Sequence, residues 1–150
     1  SEADAIILGP GDIYTSVIPN LLVQDVAETI NKSKGLKICV CNLMTKAGES
    51  DGFKASDFVR VIREYLGTSN PLDYLIVNNG PFPEKLVQRY ESLGQFPVEI
   101  NTEECRKLVN SVVEGNLIST GVYLRHDPRV LAKIITDIIN PSTNQRIIPE

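Results

Sequence analysis

The amino-acid sequence predicts a three-layer α/β domain with a mainly parallel sheet. Short unbroken apolar runs alternate with stripes of apolar residues at helical spacing, which is the pattern of strands joined by crossover helices. Two of those runs, Ala5-Ile6-Ile7-Leu8 and Ile38-Cys39-Val40-Cys41, are each followed by a polar, glycine-bearing segment and then a helical stripe. No repeat, linker or low-complexity stretch interrupts the alternation. With 150 residues and 42% apolar content the chain can bury one domain-sized core but hardly two, so residues 1–150 read as a single domain.

The elements follow in order. Ile6 to Leu8 is the first strand, and Pro19 stands near the start of a helix whose Leu22, Val26 and Ile30 share one face. Ile38 to Cys41 is the second strand, apolar on both faces as in parallel sheets. Ser56 or Asp57 can cap the next helix, in which Phe58, Val59, Ile62, Tyr65 and Leu66 form a stripe that Gly67 ends. Tyr74 to Val77 is the third strand. Pro83 opens a helix with Leu86, Val87, Tyr90 and Leu93 inward, and Gly94 closes it. Val98 to Ile100 is expected as a short fourth strand. Between Thr102 and Ser119 a helix start at Thr102 is legible, while Val112-Val113 and Leu117-Ile118 both compete as strand. Asp127-Pro128 begins the last helix, with Val130, Leu131, Ile134, Ile135 and Ile138 inward and Asn140-Pro141 as its stop. Residues 141–150 are expected to form a flexible tail.

Composition excludes several function classes. The net charge is −4 and the Lys and Arg residues are scattered, so the basic face that nucleic-acid binding needs is missing. No apolar stretch approaches the roughly 20 residues of a membrane span, which points to a cytoplasmic protein. Cys39, Cys41 and Cys105 make an odd count, and the spacing of the first two is neither a redox nor a zinc pair, so buried reduced thiols are expected. The only Met is Met44, and Ser1 lies just before a buried-type strand. The chain therefore reads as a piece of a longer protein.

Three clusters could carry chemistry. Gly9-Pro10-Gly11 lets the backbone turn sharply and approach a ligand, and Thr15 and Ser16 then sit at a helix start, where free N–H groups favour an anion or a side chain acts as a cap. The loop after the second strand offers Asn42, Thr45, Lys46, Gly48, Glu49, Ser50 and Asp51. It is longer than a strand-to-helix connection requires, and its carboxylates could hold a metal, bind a sugar hydroxyl or simply face solvent. Arg125-His126-Asp127-Pro128 places a bidentate phosphate partner and the only His beside a helix whose cap is Asp127. A metal site needing several imidazoles is thereby excluded. Tyr90 has the phase of a core residue, and at the end of its stripe its ring could stack on a base. In a parallel sheet the first two loops emerge side by side at the carboxyl ends of their strands, the place where such sheets bind ligands.

The runs Gly9-Pro10-Gly11-Asp12-Ile13-Tyr14-Thr15-Ser16 through Val23, Cys41-Asn42-Leu43-Met44-Thr45-Lys46-Ala47-Gly48-Glu49-Ser50-Asp51-Gly52-Phe53, and Arg125-His126-Asp127-Pro128 resemble the YvcK-like proteins, or gluconeogenesis factors, of the superfamily of 2-phospho-L-lactate transferase (CofD). The motifs keep their order from residue 9 to residue 128. The resemblance implies a cytoplasmic Rossmann-like protein that binds UDP-activated sugars and acts in carbon metabolism and in control of cell shape and envelope. It implies that Tyr90 stacks on the base and Arg125 meets phosphate. Asp12 stands where the resemblance leads one to expect Ser. The family's N-terminal glycine-rich loop has no counterpart here, so the chain is expected to be the carboxyl-terminal half.

The expected ligand-binding residues are Gly9, Gly11, Tyr14, Thr15, Ser16, Asn42, Thr45, Gly48, Glu49, Tyr90, Arg125 and His126, with no catalytic residue assigned and metal ligands left open. The expected function is a regulatory protein that binds a nucleotide sugar, needs no cofactor and forms a homo-oligomer. The alternative is a CofD-like transferase that moves a phospholactyl group from a nucleotide diphosphate donor to a deazaflavin alcohol, with Mg²⁺ offsetting phosphate charge.

Overall fold

The structure, a computed structural model, describes residues 2–70, 72–119 and 121–141. Four parallel strands form one sheet in the order β1-β2-β3-β4: Ala5–Leu8, Leu36–Val40, Leu72–Asn78 and Val109–Gly115. A π-helical turn over Ile13–Val17 runs into α1 (Ile18–Leu21), followed by α2 (Val26–Lys32), α3 (Ala55–Leu66), α4 (Glu84–Glu91), α5 (Thr102–Arg106) and α6 (Pro128–Ile139). The expected tail lies outside the described residues beyond Pro141.

The period of two along the strands sorts the core onto two faces. Cys39, Cys41, Leu75 and Val77 point to one, where Phe58, Val59, Ile62 and Leu66 of α3 pack with Ile18 and Leu21 of α1 and Ile30 of α2. Ile38, Val40 and Ile76 point to the other, covered by Leu86 and Tyr90 of α4 and the Val130 to Ile138 stripe of α6. Helices therefore cover both faces, and the three-layer α/β expectation holds. All three thiols are free and buried among these side chains, and burial raises the pKa of Cys39 to about 12.

The fourth strand differs from the reading of the sequence. Val98 to Ile100 does not join the sheet: Pro97 and Glu99 make single bridges to Met44 and Lys54, so the segment pairs with the loop after β2. The true fourth strand is Val109–Gly115, whose Asn110, Ser111 and Glu114 are exposed and dilute its apolar signal. The first helix is also interrupted. Asp25 takes a left-handed conformation, φ 66°, which Asp tolerates better than most residues, and the chain starts α2 afresh after it. Leu22 consequently lies 67% exposed rather than inward. The α3 helix begins at Ala55, and Asp57, in its first turn, reaches back to accept the Lys54 N–H at 2.8 Å rather than acting as the cap residue itself. Leu93 falls beyond the end of α4 and is exposed.

Two margins of the sheet carry features beyond its own pairing. Among the described residues β1 pairs only with β2, and an apolar groove lined by Ile6, Leu8, Val17, Leu21, Val26 and Ile30 runs beside it. At the carboxyl end of β3, the buried Asn78 uses its Oδ1 to accept the N–H of Leu117 at 2.9 Å and that of Gly80 at 3.3 Å, and its Nδ2 donates to the Gly80 carbonyl. Leu117 begins the segment that carries Arg125 and His126.

Asn78→Ala strips the buried Leu117 N–H of its acceptor and is expected to cost about 2 kcal/mol in urea unfolding. Hydrogen exchange at that amide should accelerate more than exchange along β2. Equal acceleration everywhere would mean that Asn78 supports the fold as a whole and not this segment.

Candidate functional site

The register of β1 on β2, with Leu8 opposite Cys39, delivers the two glycine-bearing loops to adjacent positions at the carboxyl ends of parallel strands. Gly9 has φ +84°, and a Cβ there would stand 2.9 Å from the Val40 carbonyl oxygen, so only glycine lets the first loop pass this close to β2. Side chains then tie the loops together. The Asn42 amide accepts the Gly11 N–H at 3.2 Å and donates to the Gly11 carbonyl at 3.0 Å. Glu49 Oε1 accepts the backbone N–H of Tyr14 at 2.6 Å and of Thr15 at 3.3 Å, while Thr15 Oγ1 donates to Oε2. Lys46 Nζ meets Asp12 Oδ2 at 2.9 Å.

Between these loops, α4 and the segment before α6 lies a cleft of about 510 Å³, a size suited to a small ligand. Gly11, Asn42 and Thr45 line it together with Tyr90, Arg125 and His126. The other expected positions sit elsewhere. Tyr14 and Thr15 carry N–H groups already engaged by Glu49, so the anion at this helical start is the protein's own carboxylate. Ser16 and Gly9 line the groove beside β1, and Gly48 stands in a turn closed by its N–H to Asp51 Oδ2 at 2.7 Å. Thr45 is buried because its amide donates to the Phe96 carbonyl and its Oγ1 accepts the Phe96 N–H, which clamps the 96–98 segment along the loop.

Arg125 and His126 reach the cleft through a short return. Ser119 N–H donates to the Arg125 carbonyl at 2.9 Å, Ile118 bridges His126, and Asp127 N–H donates to the Leu117 carbonyl at 2.6 Å. Asp127 then caps α6 by accepting the amides of Arg129 and Val130. Arg125 has no carboxylate partner among the described residues; its guanidinium lies 5.3 Å from the centroid of the Tyr123 ring. His126 Nε2 donates to the Cys41 carbonyl at 3.1 Å. Burial holds this imidazole below its usual range, and the bond to Cys41 offsets part of that shift.

Charge in the cleft is therefore uneven: Arg125 is available, Lys46 is occupied by Asp12, and Asp12 is the one carboxylate among the lining residues. Lys46 stays firmly protonated through its bond to Asp12. Leu43 and Met44 of the second loop's motif also line the wall, and Gln95 and Leu124 complete it; these last two carried no signal in the sequence, because they arrive by the clamp on Phe96 and by the return after β4. Among the described residues no group of three or more His, Cys, Asp or Glu side chains could hold a metal ion, and no helix is long and apolar enough to cross a membrane.

The family model for 2-phospho-L-lactate transferase CofD matches residues 1–118. A putative gluconeogenesis factor of Clostridium acetobutylicum is 45% identical over 139 residues, covering 92% of this chain and 31% of the relative. The gluconeogenesis factor of Bacillus subtilis is 32% identical over 139 residues, covering 92% and 44%. The crystal structure of a UPF0052 family protein from Bacillus halodurans superposes with a TM-score of 0.84 at 32% identity, over 89% of this chain and 43% of that one. The chain thus spans less than half the length of these relatives.

The depressed His126 has a consequence for stability. The unfolded chain takes up a proton near pH 6.5 and the folded chain only at lower pH, so this contribution is complete above about 6.5 and declines as pH falls through that value. Urea midpoints measured at pH 7.5 and 5.5 should fall further for the native chain than for His126→Gln. Equal declines would show that the imidazole is not held neutral by the fold.

Proposed function

The chain belongs to the 2-phospho-L-lactate transferase CofD family, and from that premise we propose that its cleft binds a nucleotide sugar, with UDP-activated sugars as the ligand class, in a regulatory rather than catalytic role. The observation that carries this reading is that one cleft is lined both by an aromatic ring, Tyr90, and by a guanidinium, Arg125, that no carboxylate among the described residues neutralises. Such a site can stack a base and compensate phosphate charge. A binding role is supported by the state of the remaining groups. The Nε2–H of His126 is committed to the Cys41 carbonyl and the Asp12 carboxylate is paired with Lys46, so neither of these two groups on the described cleft wall is free to act as acid or base. The relatives named gluconeogenesis factors support a role in carbon metabolism; control of cell shape and envelope, in the cytoplasm, is part of the same proposal.

The match to the CofD family favours one second reading, transfer of a phospholactyl group from a nucleotide diphosphate donor, with Mg²⁺ supplied by the solution. The two readings part in the flask: a binder gives heat with UDP-N-acetylglucosamine in calorimetry and no product with a deazaflavin alcohol, and a transferase gives product.

Arg125→Ala should weaken UDP-sugar binding by about 2 kcal/mol, because the phosphate loses a charge-assisted partner. Thermal unfolding without ligand should stay near that of the native chain, since Arg125 is exposed and its guanidinium makes no salt bridge among the described residues, lying over the Tyr123 ring. Lost stability with retained affinity would make Arg125 a structural residue and remove the main support for this site.

The partner on the β1 side is proposed to be a further copy of the chain. An apolar strand edge beside an apolar groove, with Ile7 39% exposed, invites pairing. Light scattering at high micromolar concentration is expected to show dimers or larger assemblies. A stable monomer that binds no hydrophobic dye would contradict this.

A further inference from the structure

Among the described residues three polar ties join the first loop to the second, and they are not alike. Asn42 grips both backbone groups of Gly11, and Glu49 grips the N–H groups of Tyr14 and Thr15. Both ties satisfy backbone groups and so fix the path of the first loop. The third joins only side-chain ends, Lys46 Nζ and Asp12 Oδ2, whose side chains are 45% and 38% exposed. A pair this open contributes little to stability and restrains two flexible side chains.

The backbones beneath that pair are independently fixed. Lys46 N–H donates to Ser50 Oγ at 2.9 Å, and its carbonyl accepts the amides of Glu49 and Ser50. The Asp12 carbonyl accepts the amides of Ser16 and Val17. Each residue is thus a rigid post with a swinging head, and both heads lie on the cleft wall. The ammonium ends a four-carbon stem that can re-aim without disturbing the loop.

We propose that Lys46 is a second phosphate-binding cation of the cleft and that Asp12 is its latch, releasing the ammonium to a ligand carrying a diphosphate. The proposal rests on the nucleotide reading of the same cleft. A diphosphate brings more negative charge than the single carboxylate it displaces, and it would meet Arg125 and Lys46 together, whereas a monophosphate could be satisfied by Arg125 alone. Asp12 then turns to solvent, which its exposure allows. The Asp12–Lys46 pair thereby sets the ligand class: it disfavours entry of weakly charged anions, which cannot repay breaking it, and admits those with two phosphates.

The test is a double-mutant cycle read by calorimetry on the 150-residue chain, with UDP as the probe and UMP as the single-phosphate control. Lys46→Gln should weaken UDP about tenfold and UMP far less. Asp12→Asn, which keeps the side-chain shape and removes the charge, should tighten UDP about two- to fivefold, and that gain should vanish in the double variant. Thermal unfolding should be nearly unchanged throughout. Unchanged UDP affinity in Lys46→Gln, or a gain from Asp12→Asn that persists without Lys46, overturns the latch while leaving the nucleotide site standing. Failure of the native chain to bind UDP or UDP-N-acetylglucosamine overturns both.

Discussion

Everything in the cleft depends on how closely β1 runs beside β2. The parallel register sets Leu8 against Cys39, and the chain leaves β1 through Gly9, which lies against the Val40 carbonyl where no side chain fits. From that contact onward the two loops travel together, so Asn42 can reach Gly11 and Glu49 can reach the start of the π-helical turn. A larger residue at position 9 would push the first loop outward, and each later tie would lose its partner in turn. The site is therefore an extension of strand pairing, and the ligand-facing surface is placed by the sheet.

The second wall is assembled from farther away, by a chain of hydrogen bonds that begins in the core. Asn78 ends β3 and holds Leu117, Leu117 accepts from Asp127, and Asp127 caps α6. Arg125 and His126 are carried between these anchors, with His126 docked on the Cys41 carbonyl just past the end of β2. The two walls meet at that carbonyl. A loop so anchored at both ends keeps an arginine at a cleft rim without needing a carboxylate to hold it, and this is how an exposed guanidinium can be both placed and uncommitted.

Much of this was legible in the sequence where one physical signal acted alone. β2 and β3 were readable because a strand covered on both faces is an unbroken apolar run, β1 because all four of its residues are apolar, and α6 because Asp127-Pro128 marks its start. The signal failed where two demands overlapped. Val109–Gly115 lies at the sheet's edge with solvent-facing Asn110, Ser111 and Glu114, whereas Val98 and its neighbours look like a strand because they are clamped in extended form along a loop. Helical spacing from Leu22 to Ile30 concealed a break at Asp25, since a single left-handed residue leaves no trace in periodicity. For the site, the loops and the Arg125-His126 pair could be named from composition and punctuation. That Gly11, Asn42, Thr45, Tyr90, Arg125 and His126 share one cleft while Gly48 and Ser16 face elsewhere is a matter of loop register, which no local pattern encodes.

The most instructive departure concerns the anion. A helical start after a glycine-rich loop is a ready site for phosphate, and the residues from Gly9 to Ser16 have that form. Here the protein fills the site with its own Glu49, so the N–H groups that would attract a phosphate instead hold the second loop in place. Positive potential for a ligand must then come from side chains on the opposite wall and from whatever cation the first two loops can release. That division follows from electrostatics alone: once backbone donors are satisfied internally, affinity for an anion is governed by the ion pairs the ligand can compete with, and among the described residues the ion pair that faces the cleft is the one between Asp12 and Lys46.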